Sequence, residues 1–228
     1  MSQRVKKSLE KIYQRLFDQF GPQRWWPAKT RFEVIVGAIL TQNTNWGNVE
    51  KAIGNLRAHR LLTPRRLKDI PAEKLAQHIR PAGYFNVKAK RLKNFIDYFY
   101  KEYAGDISRM AGQKTELLRE QLLSVSGIGP ETADSILLYA LDKPIFVVDA
   151  YTKRIFSRHA LIRSGDDYHA VQKKFMNHLK PDVKMFNEYH ALVVRLGKNF
   201  CRTTPRCAAC PLNNISRSAY VRSILKKS

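Results

Sequence analysis

Residues 122–153 read LLSVSGIGPETADSILLYALDKPIFVVDAYTK, and this stretch constrains the fold more than any other. An apolar segment runs into Gly127-Ile128-Gly129, a helix signal follows, and an apolar run then delivers Asp149. Two glycines around one apolar residue, between two helical patterns, make a turn too tight for side chains. The N–H groups of such a turn, with the N-terminus of the next helix, form an anion site suited to a DNA phosphate. Asp149 follows Phe146-Val147-Val148 and stands 18 residues beyond Glu131. One phosphate grip and one isolated acid at fixed separation point to an enzyme that holds a nucleic-acid backbone and attacks beside it.

The charge balance agrees. The formal net charge is +22, which implies a polyanionic partner, nucleic acid ahead of membrane, although a lysine-rich solvated surface is the plain alternative. With 228 residues, 44% of them hydrophobic, the chain can bury a core as one large or two small domains. No apolar run approaches the length of a membrane span. Met1 to Glu10 is polar and basic, so we expect no secretory signal and a cytoplasmic, nucleoid-associated place in a prokaryote.

Helical periodicity dominates the rest. Val5, Leu9, Ile12, Leu16 and Phe20 keep a helical spacing until Gly21-Pro22 stops it. Further helices are marked by Phe32 to Leu40, by Leu92, Phe95, Ile96 and Phe99, by Leu117 to Leu123, and by Val193, Val194 and Leu196. Only Ile145 to Val148 looks strand-like, and Pro144 and Asp149 leave a strand little room. The chain is therefore expected to be all-α, with loops at 21–30, 60–72, 80–88, 142–149 and 163–168, and a basic tail from 217 that ends in a frayed helix.

Hairpin, glycine pair and aspartate in this register resemble the helix-hairpin-helix DNA glycosylases of the endonuclease III superfamily, over roughly residues 5–212. The resemblance implies two helical domains flanking a DNA-binding cleft. One is continuous, 30–145, with the helix-hairpin-helix near its end; the other combines 1–29 with 146–228 and a cysteine loop. It also implies a monomer acting on double-stranded DNA that contains damaged bases.

Cleaving an N-glycosidic bond builds positive charge on the sugar. A carboxylate at C1′ stabilises that charge or deprotonates an attacking water, and Asp149 is the candidate. Asp149 also stands where a helix begins, so an N-cap role is the competing and compatible reading. Bifunctional members of the family carry a Schiff-base lysine just beyond the hairpin. Here that position is Glu131, which cannot form an imine and equally suits the first turn of a helix.

Arg24-Trp25-Trp26-Pro27 places two tryptophans on a loop, and Trp46 follows Thr41-Gln42-Asn43-Thr44-Asn45. A flipped base is read by stacking between aromatic faces, and a cationic base gains a further cation–π attraction, although core packing is the usual fate of tryptophan. These segments, with Glu131, resemble the class III 3-methyladenine DNA glycosylases, which implies that Trp25, Trp26 and Trp46 line a base pocket. Trp46 stands where that family has phenylalanine. Gln42, Tyr84 and Phe85 resemble the superfamily's wedges, which fill the gap left by an extruded nucleotide; loop aromatics packed on the next helix are the alternative. Gly127, Ile128 and Gly129 are the expected DNA grip. Lys88, Lys90, Arg91, Lys93, Lys153 and Arg154 are candidate phosphate contacts or plain surface charges.

Cys201-x5-Cys207-x2-Cys210-x5-Ser216 supplies three quarters of a metal site. The superfamily often binds a 4Fe-4S cluster through four cysteines at nearly this spacing, and serine is a poor ligand for soft iron. A labile cluster with Ser216 or water as fourth ligand, loss of the cluster, and a substitution at 216 all remain open. Zinc would also lack a ligand, and His190 is too distant in sequence to assign. The resemblance implies a monofunctional glycosylase removing alkylated purines, first 3-methyladenine. The alternatives are a thymine or uracil mismatch glycosylase, a bifunctional glycosylase/lyase on oxidised pyrimidines, which Glu131 argues against, and a non-catalytic DNA-binding module, which Asp149 argues against.

Overall fold

The computed structural model of the protein describes residues 2–215, so Ser216 and the basic tail lie outside the described residues. Every regular element among the described residues is helical. Two compact units divide the chain, one of Met1–Trp25 with Pro144–Ser228, the other Trp26–Lys143.

Trp26–Lys143 is built around α2 (Arg31–Leu40), of which every residue from Phe32 to Leu40 is buried. Thr30 starts it, accepting from the Glu33 N–H. Buried Glu33 is paired with Arg57 of α3 (Trp46–Ala58), whose own cap is Asn45. Then follow α4 (Pro64–Asp69), α5 (Ala72–His78), a single 3-10 turn and α6 (Phe85–Tyr103). The expected loop at 60–72 is thus interrupted by a helix: Thr63 caps it and Pro64 occupies its first position. Leu67 is its one buried residue, so α4 has no apolar period to announce it. Its C-terminal carbonyls are held by Lys93 Nζ, which lies 3.1, 2.6 and 3.0 Å from the oxygens of Leu67, Lys68 and Ile70.

The hairpin closes this unit. After α7 (Ile107–Ala111), α8 (Thr115–Ser124) leads through the glycine turn into α9 (Pro130–Ser135), which continues as a π-helical turn, Ile136–Ala140. A bidentate ion pair joins the two arms: Arg119 Nε and Nη2 stand 2.7 and 3.0 Å from the two oxygens of Asp134. Asp134 is fully buried.

Met1–Trp25 with the described part of Pro144–Ser228 holds α1 (Ser2–Phe20), α10 (Ala150–Arg158), α11 (Tyr168–Met176) and α12 (Val183–Asn199). Its core is aromatic. Phe146 stacks on Phe175 at 3.9 Å, Phe186 and Tyr189 meet Phe146 edge-on, and the Tyr189 hydroxyl donates to Leu9 O. The strand-like run Ile145–Val148 is extended and buried but belongs to no sheet. Side chains of α11 serve its backbone: Gln172 Nε2 donates to Phe146 O at 2.7 Å, and Val148 N donates to the Tyr168 hydroxyl.

Removing one partner of a buried ion pair leaves a charge without compensation. Asp134→Ala is therefore expected to destabilise the protein by about 3–5 kcal/mol. Chemical denaturation measures it, and a loss below about 1 kcal/mol, the value of an exposed pair, would show that the hairpin arms do not depend on this contact.

Candidate active site

Asp149 caps α10 and does a second thing at once. Its Oδ1 accepts from the Thr152 N–H at 2.7 Å and from the Thr152 hydroxyl at 2.8 Å. Its Oδ2 lies 3.6 Å from Nε2 of His190 on α12. Both side chains are nearly enclosed, 11% exposed for Asp149 and 7% for His190. The helices are close because Gly197 of α12 offers no side chain beneath Tyr151: a Cβ there would stand 2.2 Å from the ring. Burial by itself pushes the Asp149 carboxyl up. The facing imidazole of His190 and the bonds from Thr152 outweigh that and hold it below the usual carboxylate range. The carboxylate is thus anionic, poorly hydrated and committed to a cap through one oxygen.

His190 is a neighbour of Asp149 that no spacing in the sequence announces. The signal was available, since a histidine sits on the apolar face of α12 between Tyr189 and Ala191, but nothing in the sequence joins that face to Asp149.

Gly127 takes φ +95°, Ile128 is buried, and Gly129 precedes Pro130 at the start of α9. Two loop carbonyls are turned to the protein: Gln42 Nε2 donates to Gly127 O and to Thr132 Oγ1, and Asn94 Nδ2 donates to Ser126 O. Glu131 is exposed in the first turn of α9. Tyr84 is 72% exposed and left-handed, φ 45° and ψ 35°, while Phe85 is half-buried under the Arg80 guanidinium. A large ring held in solvent on a strained backbone is an uncommon arrangement.

The ring of Trp26 meets Trp46 edge-on at 5.0 Å and Tyr139 at 5.2 Å. Tyr139 was not expected from sequence; the π-helical turn places it among these rings. Gly37 of α2 makes room for the cluster, for a Cβ there would lie 3.3 Å from Trp26 Nε1. Trp25 is half-buried and ends the first segment of the other unit.

Most of the candidate phosphate cations are engaged internally. Lys88 is buried, which rules out a phosphate contact; Arg91 bonds Gln42, and Lys93 holds the end of α4. Lys153 Nζ donates to Asp166 O, and Arg154 donates to Cys201 O and Gly197 O. Lys90 alone of the six is exposed.

Cys201, Cys207 and Cys210 line one pocket with Arg158, Leu196 and Leu212. Arg158 Nη1 stands 3.3 Å from Cys201 Sγ and bonds Arg202 O. Among the described residues no three His, Cys, Asp or Glu side chains converge enough to hold a metal ion, and Ser216 lies outside them. The described residues supply three cysteines and no fourth ligand for a four-ligand cluster.

The helical hairpin with its left-handed Gly127 belongs to Trp26–Lys143, and the enclosed Asp149 carboxylate to the other unit. The family model for HhH-GPD superfamily base excision DNA repair proteins matches residues 36–181, well over half of the chain, and the chain belongs to that family. It is a DNA glycosylase of base excision repair, cleaving N-glycosyl bonds. A Methanocaldococcus jannaschii protein assigned as a DNA repair glycosylase is 50% identical over 210 residues, 91% of this chain and 95% of that one. The Helicobacter pylori 3-methyladenine DNA glycosylase bound to 1,N6-ethenoadenine superposes with a TM-score of 0.71 at 29% identity, covering 86% of this chain and 97% of that one. An endonuclease III trapped covalently on DNA shares the fold, with a TM-score of 0.80 at 21% identity over 96% and 98% of the two chains. No helix among the described residues is long and apolar enough to cross a membrane.

The His190 contact has a direct consequence. In His190→Gln the imidazole contact that favours the anion is gone while burial remains, so the Asp149 carboxyl should titrate at higher pH than in the parent. Carbon-13 NMR of the carboxyl reads this; an unmoved midpoint would show that the Thr152 bonds alone set the value.

Proposed function

We propose that the protein is a monofunctional glycosylase that flips out and hydrolyses alkylated purines, 3-methyladenine first. The observation that carries this reading is the convergence of Trp26, Trp46 and Tyr139. Electron-rich rings attract a cationic base by roughly 0.5–2 kcal/mol beyond ordinary stacking. Sequence and structural likeness to the Helicobacter pylori 3-methyladenine enzyme supports the same direction. Glu131 is proposed for the same base pocket, and Trp25 for stacking on the base. The hairpin Gly127–Gly129 and Lys153 are proposed for the DNA backbone, and Gln42, Tyr84 and Phe85 for the space the extruded nucleotide leaves.

A single carboxylate suffices for this chemistry. When the C1′–N bond breaks, its electron pair goes to the base nitrogen and neutralises a base that was already cationic, so the base needs no proton to leave. The positive charge appears on the sugar, and Asp149 stabilises it or takes the proton of the attacking water. Burial among Thr152 and His190 keeps that charge unscreened by water. Glu131 supplies no amine for an imine, so the abasic strand should stay intact.

Chromatography of bases released from a panel of damaged duplexes tests the substrate. Release of 3-methyladenine ahead of the others is expected; release confined to mismatched thymine or uracil, or to oxidised pyrimidines, would replace this reading. Asp149→Asn should slow release by about a hundredfold or more while DNA binding persists. Borohydride treatment on an abasic duplex should trap no adduct, and a stoichiometric adduct with strand nicking would move the protein to the bifunctional class.

A further inference from the structure

Helix α6 begins one residue after Tyr84 and carries Lys88, Arg91 and Asn94 three residues apart on one face. Each side chain ends on a different segment. Lys88, only 1% exposed, donates from Nζ to Leu40 O at 2.9 Å and to Ala82 O at 2.7 Å. The first oxygen closes α2, two residues before Gln42; the second precedes the Gly83–Tyr84 turn. Arg91 donates from Nη1 to Gln42 Oε1, and its stem crosses Gly127, where a Cβ would lie 2.3 Å from Arg91 Cγ. Asn94 holds Ser126 O at 2.9 Å. Gln42 completes the circuit through Gly127 O at 3.0 Å and Thr132 Oγ1 at 2.9 Å.

This arrangement is costly to the lysine. Burial, with Arg91 nearby, brings its ammonium down to about 8, and only carbonyl oxygens compensate it. Arg91, half-buried, likewise directs Nη1 at an amide oxygen of the protein. A cation on a DNA-binding protein that is turned inward toward a wedge residue acts through that residue.

We propose that Arg91 is a positioning residue, supported by Lys88, that locks the Gln42 segment, the Tyr84 turn and the glycine hairpin into the arrangement that enters a duplex before DNA arrives. This rests on the reading above that those three segments meet DNA. Arg91 then acts on nucleotide extrusion through Gln42, not by contacting phosphate. The rigid brace means that the entropy of ordering the wedge is met during folding instead of during binding.

A duplex carrying 2-aminopurine beside the target nucleotide reports extrusion as a rise in fluorescence. Arg91→Met, which keeps the stem, is expected to lower the extruded fraction by about tenfold, within the range of coupling between residues of one hydrogen-bond network. Arg91→Lys, which retains a donor, should recover part of it. The deciding comparison is with Gln42→Ala. If Arg91 acts through Gln42, the double variant Arg91→Met with Gln42→Ala matches Gln42→Ala alone to within about twofold. Additive losses would show that Arg91 meets DNA itself and would overturn the proposal. So would a normal signal from Arg91→Met where Gln42→Ala is impaired. If Gln42→Ala and Tyr84→Ala both behave as the parent, the wedge reading itself fails, and the positioning role falls with it. Lys88→Met should impair extrusion in the same sense at an unchanged unfolding midpoint; should it unfold, the Arg91 series alone decides.

Discussion

A carboxylate that is 11% exposed persists as an anion only if its surroundings replace the water it has lost, and the unit containing Asp149 is organised around that requirement. The buried run Ile145–Val148 carries the chain inward, and side chains of α11 satisfy its backbone so that it need not pair as a strand. At its end Asp149 turns the chain into α10, and the cap supplies two hydrogen bonds. The side-chain-free surface of Gly197 lets α12 approach closely, and α12 brings His190. Phe146 of this run stacks on Phe175 of α11 at 3.9 Å. Cap and candidate catalyst are thus two uses of the two oxygens of one residue.

In Trp26–Lys143 the organising constraint is steric. The left-handed Gly127 leaves a surface without a Cβ, and the stem of Arg91 occupies it. Once that stem is there, its guanidinium reaches Gln42, whose amide returns to the hairpin. The ion pair between Arg119 and Asp134 fixes the arms on the other side of the turn. Charge that the composition assigns to a DNA-facing surface is partly consumed in building it: Lys88, Arg91, Lys93, Lys153 and Arg154 all donate to protein oxygens. The net charge of +22 still describes the field that a polyanion meets at long range. It does not say which cations touch it.

Legibility in the sequence followed signal strength. α1, α2, α6 and α12 bury apolar faces whose period is visible in the sequence, whereas α8 buries only Leu118 and Leu122 and leaves Leu117 exposed. The glycine hairpin and the helix start at Asp149 were legible because turn chemistry is local. α4 has too few buried residues for a period, and the π-helical turn at Ile136–Ala140 looks like ordinary helix in any apolar pattern. The apolar pattern therefore does not single out Tyr139, which meets Trp26. Cysteine spacing states how far apart ligands lie along the chain but not how their sulfurs are arranged.

The sequence by itself determined the helical class, the family register of hairpin and aspartate, and the absence of a lysine at Glu131, because each depends on residue identities within a short window. Only the tertiary structure decided that His190 faces Asp149, that Trp26, Trp46 and Tyr139 meet, and that Arg91 and Lys88 turn inward. The physical reason is that these are contacts between helices far apart in the chain. Which faces meet is set by the packing of whole buried surfaces and by the places where a glycine lets them close. No local pattern of residues carries that information.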